Sequence, residues 1–404
     1  MVTPATLVLA LCFLTHGFAP PENQPETITI RTHGENAGIV DVQEVDQGNV
    51  ILALDVEGCV RAWDRNTPKL LWEKIDVVWS PHLSLTLSPD KKLLATAQQG
   101  SEVVWIYDAK TGAERHKLAG NDSWVFKTVF SPDGSQLACA AGGNIALWDT
   151  NHGKLLRTLS LQKEPVAPIT AMAFSPDGKM LAAPSDDGSI SLFDFRTGKL
   201  LKSLKPPLTE GVDWTVALTF SPNGKYLVSL GQLLGVTWWN LETGDHMDVS
   251  RRYSEKKQEI NLDSSTGFSL VGTVFSPEGE EIISNHYNKG KLATAKIWNL
   301  KSGANTQSFP LNGEVGLFSS CFDDSGKHVA TAVIESDKIN DPNAVAQVDV
   351  WKKSSGKSLR TLEIPVGMIT ALRFNKTGNS LLMGCANGEI RVWNWKPERE
   401  NSTK

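Results

Sequence analysis

Cysteine is scarce. The chain holds five in 404 residues, and no Cys-x-x-Cys or Cys/His cluster exists. A disulfide framework or a zinc ribbon is therefore not written into the sequence. Cys12 falls in an N-terminal apolar segment. Cys59, Cys139, Cys321 and Cys385 lie far apart, each inside an apolar strand-like run, and read as small buried thiols. Long hydrophobic runs are missing too. The longest, Leu7 to Leu14, is too short to span a bilayer comfortably. Basic excess is absent: 40 Lys and Arg stand against 45 Asp and Glu, for a net charge of −5. That argues against a nucleic-acid binder working through a broad basic field. Helical periodicity is not sustained over ten residues anywhere, so no phosphate-cradling loop precedes a helix. The His residues beyond the first segment (His33, His82, His116, His152, His246, His286, His328) show neither metal-ligand spacing nor a nucleophile motif. No catalytic, cofactor or metal site is assigned from these residues. Asp337, Asn340, Asp341 and Asn343 read as a solvated acidic loop, because their spacing is not that of a calcium loop.

What is present begins with a leader. Residues 1–19 read as a secretory signal peptide, with Gly17 and Ala19 at the −3 and −1 places of a cut before Pro20. Export to the periplasm or the medium follows. Two alternatives stand beside it: a lipid anchor through Cys12, after Leu9-Ala10-Leu11, and a cytoplasmic chain if the leader goes unused. A short linker occupies 20–26, and a polar tail 397–404.

Between them one phrase recurs. An apolar strand ends in Phe and is followed by Ser-Pro-Asp-Gly or a relative. The copies are Phe130 to Gly134, Phe174 to Gly178, Phe220 to Gly224 and Phe275 to Gly279. Weaker ones are Leu87 to Lys91, Phe322 to Gly326 and Phe374 to Gly378, with a degenerate first copy at Val45 to Gly48. Pro presets φ and Gly accepts a positive φ, so each copy is a tight turn. A second phrase alternates with the first. An aromatic closes a strand, usually before Asp or Asn: Trp63, Tyr107, Trp148, Phe193, Trp239, Trp298, Trp351 and Trp393. This repeated position explains why the chain has 13 Trp but only four Tyr. Between the turns lie short alternating runs, such as Ile169–Phe174, Met180–Ala183, Ser189–Phe193 and Lys199–Leu204. Four short strands per repeat make a β-propeller blade.

The paired phrases resemble the WD40-repeat family over roughly residues 27 to 395. The resemblance implies an all-β fold, a single closed propeller of WD40-type blades. Eight copies imply eight blades over 27–396; seven blades plus a divergent N-terminal segment is the alternative. Thr27 to Thr32 supplies an orphan strand that completes the eighth blade and removes the sheet edges. One departure is plain. The Gly-His that opens many family repeats is missing here from most copies. The family's buried Trp–Ser/Thr–His–Asp set is therefore expected to be mostly absent, with its Asp best kept at Asp187. Stability then rests on apolar packing between blades.

The family implies a non-catalytic scaffold for protein–protein interaction. The two repeated phrases are the a–b and c–d turns, on one face. Extra residues fall on the other: 36 positions separate Trp239 from Phe275, 19 separate Gly279 from Trp298, and 25 separate Gly326 from Trp351. Long loops on a rigid scaffold are frequent recognition sites. These hold Arg251, Arg252, Tyr253, Lys256, Lys257, His286, Tyr287, Lys289 and Lys291, beside Glu335, Asp337 and Asp341. Trp124 and Trp214 each precede a strand-a Phe by six residues, at the channel mouth on this face; Trp79 is near them in phase. Trp124, Trp214, Arg251, Arg252, Tyr253, His286 and Tyr287 are thus the candidate partner contacts. They suit a monomeric propeller that binds a protein or peptide with an acidic segment. The competing reading is enzymatic. Trp63 to Trp72 (WDRNTPKLLW) resembles the Trp-docking repeat of eight-bladed quinoprotein dehydrogenases, which implies a pyrroloquinoline quinone cofactor.

Overall fold

Each Ser-Pro-Asp-Gly copy closes a hairpin through its own side chains. In blade three the Ser131 hydroxyl donates to Asp133 Oδ1 at 2.6 Å and accepts from the Gln136 N–H at 3.0 Å. Gly134 completes the turn at φ +72°, a conformation that a side chain would strain. The aromatic–Asp copies close the next hairpin. Asp108 Oδ1 accepts from the Thr111 N–H and from its hydroxyl, both at 2.9 Å. With turns spaced this closely, the intervening residues have room only for short antiparallel strands.

The computed structural model describes residues 27–31, 38–75, 86–97, 101–160, 169–185, 188–205, 215–231, 236–248, 274–286, 294–311, 315–338 and 341–396. They form eight four-stranded antiparallel sheets. Seven are consecutive in sequence, ordered a-b-c-d from the centre outward. The eighth takes strands a–c from Ile369–Phe374, Leu381–Cys385 and Glu389–Trp393. Its outermost strand is Thr27–Arg31, which pairs with Glu389–Trp393 from Thr27↔Trp393 to Arg31↔Glu389. The orphan strand closes the ring as expected, and the blade count is eight. Strand a of blade four differs in length from its sequence reading. Only Ala173–Phe174 is strand, and Ile169 instead donates its N–H to Gly142 O, on the loop of the preceding blade.

The core is not one mass but eight slabs. Each of eight hydrophobic clusters joins the facing sheets of two neighbouring blades. The slab that closes the ring sets Ile30, Leu382, Ile390 and Val392 of blade eight against Ile39, Val42, Ile51 and Trp63 of blade one. Burying each such side chain contributes roughly 1.5–3 kcal/mol. The four described cysteines are free and buried, matching the sequence reading; Cys139, Cys321 and Cys385 lie within these slabs.

The indole half of the family's hydrogen-bond set survives better than the sequence suggests. Trp239, Trp298 and Trp351 donate to Ser229, Ser284 and Thr331 at 3.3, 2.8 and 2.9 Å. The hydroxyl sits on strand b, two residues past the one paired with the Trp, and needs no His to reach it. In blade three that place belongs to Cys139, and Trp148 turns to Asn121 Oδ1 at 3.1 Å. In blade eight it belongs to Met383, and the buried Trp393 N–H has no partner among the described residues. Asp187 lies outside the described residues. The matching turn of blade one has Asp55, which accepts from the Glu57 and Cys59 N–H groups at 3.0 and 2.9 Å.

Candidate functional site: the loop face

Strands a begin, and strands b end, on the face that carries the d–a and b–c loops. Backbone bonds stitch neighbouring loops into a collar. Val125 N donates to Ser101 O at 3.0 Å, and Gly367 N to Ala344 O at 2.9 Å, each from one blade to the one before it. Gly367, at φ +67°, lets this backbone lie close against Asp341 and Pro342, where a Cβ would meet backbone at 2.9 Å.

Trp124 projects from this collar. It is 55% exposed, the largest hydrophobic side chain among the exposed described residues, directly ahead of buried Val125. The loop before it is held at several points. Buried Asn121 donates to Glu102 O at 2.6 Å and accepts from the Trp148 indole. Asp122 Oδ2 accepts from Asn144 Nδ2 at 3.2 Å. Ser123 packs on Gly142. An indole exposed on an already ordered loop needs little further ordering to be buried against another surface.

Of the other expected contacts, the structure places one. His286 ends strand b of blade six (Glu281–His286), paired in register with Thr294, so its backbone stands on the same face. Trp214, Arg251, Arg252, Tyr253 and Tyr287 lie outside the described residues, as do Trp79, Lys256, Lys257, Lys289 and Lys291. The acidic loop of blade seven is partly described. Glu335 pairs with Lys338, while Asp337 and Asp341 are exposed.

Sequence reasoning missed the polar residues of the inner strands. Arg373 in blade eight reaches across the ring closure to Asp41 Oδ1 of blade one at 3.1 Å. Gln43, with its carboxamide oxygen turned toward Arg373, accepts from Nη2 at 2.9 Å. Lys127 of blade three is deeply set; burial holds its ammonium below the usual lysine range, and the Asp41 charge opposes that shift. The signal was a charged residue inside an otherwise apolar strand (Val125-Phe126-Lys127-Thr128-Val129-Phe130). Two further ion sets, each centred on a largely buried side chain, are structural. Arg61 links Asp55 at 2.6 Å and Glu73 at 3.2 Å; Glu389 links Arg31 at 3.1 Å and Arg391 at 2.6 Å. Among the described residues no group of three His, Cys, Asp or Glu could hold a metal ion, and no helix is long and apolar enough to cross a membrane.

The WDRNTPKLLW segment resolves into a blade-to-blade clamp. Trp72 Nε1 donates to Lys110 O of blade two at 2.9 Å. His116 does the same to Asn151 O of blade three at 3.0 Å, and Arg157 to the Phe195 and Arg196 carbonyls of blade four. The Trp is one member of a repeated packing device.

Comparison with known proteins agrees with this architecture. The WD40 family model (WD domain, G-beta repeat) matches residues 112–149, 153–194 and 356–394. Each match runs from a c–d turn through strand d and on to strand c of the next blade. That offset is the one that leaves Thr27–Arg31 to complete blade eight. The three matched segments are WD40 repeats, set within an eight-bladed β-propeller. WD repeat-containing protein 91 of Mus musculus is 24% identical over 292 residues, covering 64% of this chain and 38% of that protein. WD repeat-containing protein VIP3 of Arabidopsis thaliana is 35% identical over 144 residues, or 32% of this chain and 43% of that one. WD repeat-containing protein SL1-17 of Schistosoma mansoni is 26% identical over 169 residues, 42% and 54% respectively. The chain thus spans only about two-fifths to one-half of the length of these relatives. The computationally designed Ika8 protein shares the fold at a TM-score of 0.63 and 21% identity, covering 90% of this chain and 98% of that one.

Proposed function

We propose that this propeller is a non-catalytic scaffold that presents its loop face to a protein partner. The observation that carries the reading is Trp124: a half-exposed indole on a loop fastened by Asn121, Asp122 and Ser123. The mechanism is preorganisation. The blades order the loops before association, so less conformational entropy is lost on binding. Trp214, Arg251, Arg252, Tyr253, His286 and Tyr287 complete the proposed contact set, and their basic members favour a partner with an acidic segment. Export after cleavage at Ala19 is part of the proposal; N-terminal sequencing of the purified chain would show Pro20 first, and an intact Met1 would overturn it.

Affinity capture from native extract tests the scaffold reading. The baits are the wild-type chain and a Trp124→Ala, Trp214→Ala, Arg251→Ala, Arg252→Ala variant with the same melting curve. Prey retained by the first and lost from the second is the expected outcome. Identical captures from both would sink the loop-face assignment.

A further inference from the structure

The same triplet stands at the start of strand d in blades three (Lys154–Ser160) and four (Leu200–Leu204): Lys154-Leu155-Leu156, and Lys199 just ahead of Leu200-Leu201. Both strands are the outermost of their sheets. Both carry a bulge at the second leucine. Trp148 pairs with Leu155 and Leu147 with Arg157, leaving Leu156 unpaired; Phe193 pairs with Leu200 and Leu192 with Lys202, leaving Leu201 unpaired. The bulges turn the leucines out. Leu155, Leu156, Leu200 and Leu201 are 43, 50, 51 and 53% exposed. Leu71 of blade one and Leu359 of blade seven hold the bulge place singly, but neither has an exposed leucine before it.

The two leucine pairs sit on one rigid unit. The Arg157 guanidinium, 5.7 Å over the Phe195 ring, donates to the Phe195 and Arg196 carbonyls, and Leu159 closes on Gly198. The exposed cations around them outnumber the carboxylates. Lys154, Arg196 and Lys199 are exposed and form no salt bridge among the described residues. Asp149 and Asp194 stand nearby, each tied into its own c–d turn: Asp149 accepts from the Asn151 and His152 N–H groups, and Asp194 from the Thr197 N–H and hydroxyl. Exposed leucine pairs on neighbouring blades, flanked by the exposed cations Lys154, Arg196 and Lys199, form a surface whose complement is acidic and apolar. The bulges interrupt the strand edge, which disfavours addition of a β-strand and leaves recognition to side chains.

We propose that the outer rim of blades three and four is a second docking surface. Its occupant is a partner-protein segment that carries Leu, Ile or Phe beside Asp or Glu. The leucines lie next to the c–d turns, at the end of the blades opposite the loop collar, so both surfaces can be filled at once.

A random 12-residue phage-displayed peptide library, selected on the wild-type chain, tests this. The expected winners pair acidic with large apolar residues. As synthetic peptides they should lose at least ten-fold in affinity on Leu156→Ser, Leu201→Ser and on Lys154→Glu, Lys199→Glu, and weaken as salt rises. Both double variants alter exposed side chains and should melt as wild type does. Three results would overturn the proposal: no enriched peptide, peptides that bind both variants as tightly as wild type, or winners that are basic. A fourth arm sediments the protein with phosphatidylcholine vesicles containing 30% phosphatidylserine, a mole fraction set at roughly the anionic content that draws polybasic surfaces. Binding there that is lost in the same variants would assign the rim to a membrane and overturn the peptide reading.

Discussion

The Trp72 ring lies over Gly112, and its indole N–H reaches the Lys110 carbonyl at 2.9 Å, so one side chain of blade one caps a turn of blade two. The same relationship recurs around the ring. His116 lies over Gly153, and Leu159 over Gly198. The turn glycine serves two ends here: it permits a positive φ, and it leaves room for the neighbour's side chain.

Gly112→Ala therefore meets two penalties. Its Cβ would fall 2.7 Å from the Trp72 ring, at a backbone φ of +68°. A loss of about 1–3 kcal/mol is expected by urea denaturation. In a Trp72→Leu background the same change should cost less, because part of the clash is gone. Equal costs in both backgrounds would show that the ring contact is not what the turn protects.

Thr331 gives the Trp351 indole its buried acceptor at 2.9 Å. Thr331→Val keeps the shape and orphans the donor. A cost of about 1–2 kcal/mol is expected in the urea midpoint. Thr331→Ser should recover most of it. A Val variant as stable as wild type would mean the hydrogen bond contributes nothing net.

Asp133 and Asp177 are held below the usual carboxylate range, first by the Ser131 and Ser175 hydroxyls of their own turns. A depressed folded pKa gives stability that is present above the unfolded value, about 3.9, and is lost as pH falls through the folded one. Asp133→Asn, Asp177→Asn should thus lower stability at pH 7 and flatten the decline between about pH 5 and 3. A variant whose acid limb runs parallel to wild type would refute the assignment. Asn223 already fills this place in blade five and accepts from Ser221 at 2.7 Å, so Asn fits the turn.

Burial pushes the Cys59 thiol up to about 11 and Cys321 up to about 12, and raises Cys139 and Cys385 as well. Thiolate is the reactive form, so all four should resist Ellman's reagent at pH 8 in the folded chain and react on unfolding. Rapid labelling of any of them before unfolding would contradict their burial.

The hairpin turns and the aromatic strand ends were legible because they are local. Ser131, Pro132, Asp133 and Gly134 close their turn with bonds that span five residues or fewer. The loop face was legible only as surplus length. Its best-placed residue, Trp124, was found by its phase before Phe130, whereas Asn121, which fastens it, gave no signal of its own. The amide acts through Trp148, 27 positions away. Asp41 and Arg373 were invisible for the same reason: 332 positions separate them.

The sequence by itself determined a repeated four-strand unit, its eight copies and the N-terminal strand that shuts the ring, since each follows from turn chemistry and period. The tertiary structure alone decided what stands across each seam. Which side chain lies over Gly112, which described indoles find an acceptor among the described residues and which leucines face outward depend on the neighbouring blade. A blade's two faces are assigned only when another sheet packs against each of them.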